Sequence, residues 1–227
     1  CSHFGTCGGC SLQHLQPEAQ LRAKQQVLAG QLEHIGKVQP ESWLAPLTGP
    51  AWGYRRRARL GVRFVPGKGG VFVGFRERRK SFLANLNECP VLEPKLAALL
   101  PALRGLIAQL SCPQRIPQIE VAAGDDATAL VIRHLLPLTD ADRTLLCGFA
   151  QQHSLQIYLQ GGGPDSVTLL WPEKCAMDGA VTEPRMQTPT PLYYRLPEYD
   201  VTLHFRPTDF IQVNNALNQR LVHQALT

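Results

Sequence analysis

The sequence has no apolar run long enough to cross a bilayer, because its most apolar segment, 91–110, is interrupted by Glu93, Lys95, Arg104 and two prolines. Nor does a basic-then-apolar leader stand at the front: the chain opens on Cys1 rather than Met, which reads as a cut or processed edge. Internal repeats and low-complexity tracts are missing, which excludes solenoid and disordered architectures. Cysteine is not spread in the even set of a secreted disulfide scaffold. Seven is an odd number, and Cys1, Cys7 and Cys10 crowd into the first ten residues, which points to a reducing, cytoplasmic setting. No G-x-G-x-x-G follows a strand pattern, so a dinucleotide fingerprint is absent too.

What is present suits one or two globular domains: 227 residues, 44% hydrophobic and 18% charged, enough chain to bury roughly 70% of its unfolded surface. The net charge of +5 conceals an asymmetry. Between Trp52 and Lys80 lie ten Lys/Arg against the single Glu77, which leaves the remainder of the chain net negative.

Local patterns predict the elements. Pro17 can open a helix over residues 17–36, with Leu21, Leu28, Leu32 and Ile35 at helical spacing. From Tyr54 to Val65 alternate positions separate: Tyr54, Arg56, Ala58, Leu60, Val62 and Phe64 on one face, Arg55, Arg57, Arg59 and Arg63 on the other. The turn at 66–70 returns this strand into 71–75. Pro94 opens a second helical pattern that Pro101 can kink or split. Strands are expected at 119–123 and 127–134, a helix capped by Thr139 and Asp140 to about Gln152, strands at 155–159 and 167–171, a loop over 172–199 and a last strand at 199–205. Asn214 and Asn215 start a final helix whose apolar series is still running at Thr227. The sum is an α+β or α/β chain.

Two constellations carry chemistry. The spacing C-x5-C-x2-C in a Gly-rich loop, with Cys89-Pro90 far downstream, offers four thiolates: Cys1, Cys7, Cys10 and Cys89. Four soft ligands suit a 4Fe-4S cubane or a tetrahedral zinc, and the bland alternative is four buried cysteines. A fourth ligand argues against radical chemistry, which needs an open iron. Such a centre would close a loop of more than seventy residues. Cys112, Cys147 and Cys175 stand alone and read as small hydrophobes, and His3 reads as a packing or hydrogen-bonding residue.

The second constellation is the basic hairpin. Arg55, Arg57, Arg59 and Arg63 with the run Arg76, Arg78, Arg79 and Lys80 lie among aromatic residues and form a candidate RNA surface. A solvated strand face is the alternative, but four arginines on one face repel unless an anion offsets them.

The runs CSHFGTCGGCSLQH, WGYRRRARLGVRF, NECPVL and FRPTDFIQVNNALNQ, in that order, resemble the bacterial 23S rRNA uracil-5-methyltransferases of the RlmD (RumA) type within the RNA uracil-5-methyltransferase family. The resemblance spans nearly the whole chain. It implies that the four cysteines bind a 4Fe-4S cluster, favours the ribosomal over the transfer RNA branch, and matches Gln212 to a glutamine that contacts S-adenosylmethionine. The implied fold is an α+β central domain over 1–205, with a mixed or antiparallel sheet and the iron-sulfur loop. The start of a Rossmann-like methyltransferase domain follows over 206–227, and helix 17–36 is a candidate to pack on it. A TRAM domain and most of the methyltransferase domain, with the nucleophilic cysteine and the base, would lie outside these residues. The expected partner is 23S rRNA, with no membrane, and the expected state is a monomer. No role is assigned to 171–191.

Overall fold

The computed structural model describes residues 1–172 and 190–227. Its centre is a six-stranded sheet in the order β2-β1-β3-β4-β5-β6, built from β1 (Arg57–Val65), β2 (Gly70–Gly74), β3 (Gln118–Ala123), β4 (Thr128–Arg133), β5 (Gln156–Gln160) and β6 (Val167–Trp171). All neighbours are antiparallel except β4 and β5, which are parallel and joined through a helix, as a parallel crossover requires. The class is α+β with a mostly antiparallel sheet.

Period-two alternation sets the faces. Ala58, Leu60 and Val62 of β1 pair with or stand beside Val121 and Ile119 of β3, and these side chains are buried. They form one cluster with Leu99, Leu100, Leu103, Leu106 and Ile107 of α3 (Leu99–Gln109) and with Leu146 and Phe149 of α4 (Asp140–Gln152). Leu100, Leu103 and Ile107 are fully shielded from water, which makes this layer the main source of hydrophobic stabilisation. A short α2 (Pro94–Ala97) precedes α3, and the break falls at Ala98. Pro101 is therefore the third residue of a new helix, where its missing N–H is one of the unpaired first-turn donors. The Thr139 side chain caps α4 by accepting from the Asp142 N–H, and the Asp142 carboxylate accepts from the Thr139 N–H.

The opposite face is narrower. Ala122 and Ala129 pack there against Leu192, with Tyr158 and Phe205 at the edge. Leu192 and Phe205 belong to a hairpin of β7 (Leu192–Leu196) and β8 (Val201–Phe205). β7 corrects the expectation of a loop over 172–199: its five residues are bracketed by Pro191 and Pro197, and these prolines masked a short alternating strand. Residues 173–189, including Cys175, lie outside the described residues.

α1 (Pro17–Gly30) runs on into a π-helical turn at Gln31–Ile35, so the helix over 17–36 is present. Despite the helical spacing of its apolar residues it buries none of them; Val27, Leu28 and Ile35 stay exposed. Across an open groove it faces α5 (Asn215–Leu226), which the Asn214 side chain caps by accepting from the Leu217 N–H. The sheet side of α5 is anchored by His223 Nδ1 at 2.6 Å from Glu198 and by Gln219 Nε2 donating to the Arg195 carbonyl. None of the helices among the described residues is long and apolar enough to cross a membrane.

Candidate metal centre and nucleic-acid interface

The four predicted ligands converge. Cys1, Cys7, Cys10 and Cys89 line one small apolar pocket, closed by Phe4, Phe75 and Leu86. Cys89 reaches it from the segment after β2, because Leu86 N–H donates to the Val73 carbonyl and Leu92 N–H to the Cys89 carbonyl, which draws the chain back along the sheet edge. The N-terminal loop is held by its own turns: the His3 carbonyl accepts from the Thr6 and Cys7 N–H groups. Gly9 admits no side chain, since a Cβ there would stand 2.9 Å from the Phe75 ring.

Burial pushes the Cys89 thiol up from its ordinary value; the Leu92 and Val91 N–H groups offset part of this, and neighbouring Cys10 and Cys7 add to it. Cys7 is likewise raised by burial, against the Gly9 N–H that points at its sulfur from 3.4 Å, with Cys10 raising it further. Burial and mutual repulsion both oppose ionisation of Cys7 and Cys89, and a cation bound between them would offset both. The donor chemistry fits such a group: four soft sulfurs, an apolar wall and backbone N–H donors to sulfur. No three His, Cys, Asp or Glu side chains among the described residues stand in ligating geometry, so loading requires the sulfurs to draw together. His3 Nε2 is buried in this pocket with no hydrogen-bond partner among the described residues, so His3 packs there without the bond its sequence reading allowed.

A cleft of about 750 Å³ opens beside the pocket. Five guanidinium-bearing residues line it, Arg59 and Arg63 from β1 and Arg76, Arg78 and Arg79 from the loop after β2, together with Gly8, Gly9, Gln114 and Gln118. Arg59, Arg63, Arg76, Arg78 and Arg79 are all exposed. Their collected charge makes a positive concavity in which field lines focus.

The remaining predicted residues go elsewhere. Arg57 is mostly buried and engaged, donating from Nη2 to Glu120 at 3.0 Å and to the Thr208 carbonyl at 2.8 Å. Glu120, 5% exposed, also takes Arg59 at 2.9 Å, so the anion that the arginine ladder required is an internal one. Arg55 lies at the start of the ladder, bridged to Leu92 and Asn214, away from the cleft. Lys80 pairs with Glu77 at 3.6 Å. Arg56, on the apolar face, is buried between Glu93 at 3.0 Å and Asp125 at 2.8 Å. A carboxylate between two β-branched neighbours, Ile119-Glu120-Val121, was the available signal for Glu120; Gln114 and Gln118 carried none.

Gln212 is exposed and lines a separate groove of about 610 Å³ between α1 and α5, with Tyr54 and Asn214. Arg56 N–H donates to the Val213 carbonyl and so fixes this segment against β1. Of the three cysteines read as lone small hydrophobes, Cys112 is a half-buried free thiol, whereas Cys147 is buried and disulfide-bonded, which corrects that reading.

Comparison with known proteins adds a second line of observation. A protein of Aromatoleum aromaticum named 23S rRNA (uracil(1939)-C(5))-methyltransferase RlmD is 50% identical over 226 residues, covering all of this chain and 49% of its own. Proteins of the same name from Nitrosococcus oceani and Bordetella parapertussis are 52% and 51% identical, again over the full chain. By sequence, the chain is similar along its whole length to one part of these RlmD proteins. It spans about half the length of these relatives. No family model matches the chain. Among solved structures, a Pyrococcus abyssi tRNA (uracil-54, C5)-methyltransferase in complex with S-adenosyl-L-homocysteine superimposes with a TM-score of 0.62 at 19% identity, over 97% of this chain and 50% of that one. At that identity the likeness establishes a shared fold.

Proposed function

We propose that this chain is the RNA-holding part of an S-adenosylmethionine-dependent enzyme that methylates carbon 5 of a uridine in 23S rRNA, working in the cytoplasm. The observation that carries the reading is the exposed arginine cleft beside the thiol pocket, in a chain half identical over its full length to RlmD proteins. Arg59, Arg63, Arg76, Arg78 and Arg79 supply the phosphate-binding surface. Arg57 acts through Glu120, and Arg55 and Lys80 lie at the margin.

Cys1, Cys7, Cys10 and Cys89 are the residues that would hold a 4Fe-4S cluster, which would tie the N-terminal loop to the sheet edge without an open site for substrate. Gln212, exposed in the α1–α5 groove, would contact S-adenosylmethionine in the whole enzyme. Residues 206–227 then form the first edge of the methyltransferase domain, and the acceptor uridine leaves its stack to be reached. The 227-residue chain alone is expected to transfer no methyl group.

The test is anaerobic purification with iron and sulfide counts, followed by RNA titration. About four irons per chain with a broad absorption near ~400 nm fit the cubane; a colourless protein with one zinc replaces it. Replacing Arg63 and Arg79 by Ala should weaken binding and flatten its salt dependence. Unchanged affinity and slope would remove the RNA reading, and transfer of labelled methyl to ribosomal RNA by this chain would overturn its expected inactivity.

A further inference from the structure

The thiol pocket and the arginine cleft share walls. Gly9 and Phe75 line both, and the residues beside Cys7 are hydrogen-bonded into the basic loop. Gly8 N–H donates to the Arg76 carbonyl at 2.8 Å, and Arg78 N–H donates to the Thr6 carbonyl at 2.8 Å, so Cys7 and Glu77 form an antiparallel bridge. These two main-chain bonds join a ligand-bearing loop to the loop that carries Arg76, Arg78 and Arg79. The fit leaves no slack: a Cβ on Gly8 would stand 2.8 Å from the Arg76 carbonyl oxygen. On its far side the basic loop is secured by Glu77 N–H to the Phe82 carbonyl and by the weak bond from Arg76 to the Ser81 carbonyl at 3.5 Å. Arg79 holds a left-handed backbone with φ of 60°, a conformation that needs its surroundings to persist.

We infer that the bridge between Cys7 and Glu77 makes the RNA affinity of the Arg76–Lys80 loop depend on whether the four-thiol pocket is filled. The inference rests on the RNA and thiol-site readings above and adds a regulation of that surface. A metal or cluster held by Cys7 and Cys89 together would tie residues 6–8 to the sheet edge through Cys89. With residues 6–8 pinned, Thr6 and Gly8 present a fixed edge, and the basic loop docks on it with its arginines toward the cleft. Emptied, the pocket frees that edge, and each arginine must be ordered at the moment of binding, which weakens it. Arg59 and Arg63 stand on β1, whose pairing to β2 and β3 does not involve the cysteine loop, so their contribution should not change.

The experiment uses the full chain, loaded with iron and sulfide or stripped by chelator, and a fluorescent unstructured ribo-oligonucleotide titrated at several salt concentrations. Stripping should lower affinity about tenfold or more and reduce the salt slope by about 2, as expected for losing three phosphate contacts to a single strand. Arg79→Ala should cost about fourfold in the loaded protein and almost nothing in the stripped one. Arg59→Ala should cost the same in both. Independently of RNA, hydrogen exchange should show the Arg78 amide protected in the loaded protein and fast in the stripped one, with β3 amides unchanged. Gly8→Ala should keep its iron yet match the stripped protein in affinity.

Equal cost of Arg79→Ala in both states, or an Arg78 amide equally protected in both, overturns the coupling while leaving the cleft as an RNA surface. If neither Arg59→Ala nor Arg79→Ala weakens binding to loaded protein, the RNA reading itself has failed; if no metal is taken up, the thiol-site reading has. Either result removes the coupling as well.

Discussion

Residues 94–171 and residues 1–93 are stabilised by different forces. In the later region α3 and α4 cover the sheet with shielded leucines and isoleucines, and stability follows from apolar area removed from water. In the earlier one β1 and β2 share that core, but the cysteine loop and the basic loop hang from the sheet edge by a few main-chain bonds, with the four thiols gathered in one pocket. The contrast separates what makes the chain fold from what equips it to bind. A region held by burial tolerates no cavity. One held by a few hydrogen bonds can change state without unfolding the rest.

The largest expected effect is on the packed side. Leu103→Ala, at a fully shielded position of α3, should lower unfolding stability by about 3 kcal/mol in a urea titration. A loss below about 1 kcal/mol would mean the layer can collapse and would blur the comparison.

Next comes the helix-start carboxylate. Burial acts to raise the Asp142 pKa, but hydrogen bonds from Ser111 Oγ and N–H, and from the Thr139 N–H, outweigh it and hold the group below its ordinary 3.8. A folded value below the unfolded one means the stabilisation is fully present above the ordinary value and is lost as the pH falls through the folded value. Asp142→Asn should therefore cost about 2 kcal/mol at pH 7, and the difference from the parent chain should shrink in denaturation curves taken below pH 3.8.

A smaller effect on stability is expected at the thiol pocket. Cys89→Ser should abolish metal uptake by elemental analysis and open the N-terminal loop to protease, while the main unfolding transition shifts by only about 1 kcal/mol. A collapse of the whole fold on this change would merge the two regions into one. The smallest belongs to the exposed cleft: Arg63→Ala should leave thermal stability within about 0.5 kcal/mol of the parent and reduce RNA affinity about fourfold. That pairing of outcomes tells a binding surface from a structural one.

Much of the framework was legible because its signals are local. The Thr139–Asp142 cap, the glycine turn between β1 and β2 and the alternation in β1, β3 and β4 each fall within a few residues, and the elements appear where those patterns place them. β7 escaped because a five-residue strand between two prolines resembles loop, and it becomes a strand only by pairing with β8 and resting Leu192 on Ala122 and Ala129. The candidate site was legible as a set of residue types. Its division was not: Arg57 and Arg59 alternate alike in sequence, yet Arg57 is drawn inward by Glu120 and Thr208 while Arg59 keeps an exposed side chain.

By itself the sequence determined where most helices and strands other than β7 run, that four sulfurs of suitable spacing exist, and that positive charge gathers in one hairpin, since these depend on neighbours along the chain. Only the tertiary structure decided which charges remain free, that Cys89 meets the N-terminal trio, and that Gly8 and Thr6 grip the loop bearing Arg76 and Arg78. Those outcomes depend on contacts between residues some seventy positions apart, where the register of sheet edges and the competition of buried carboxylates for arginine leave no trace in local pattern.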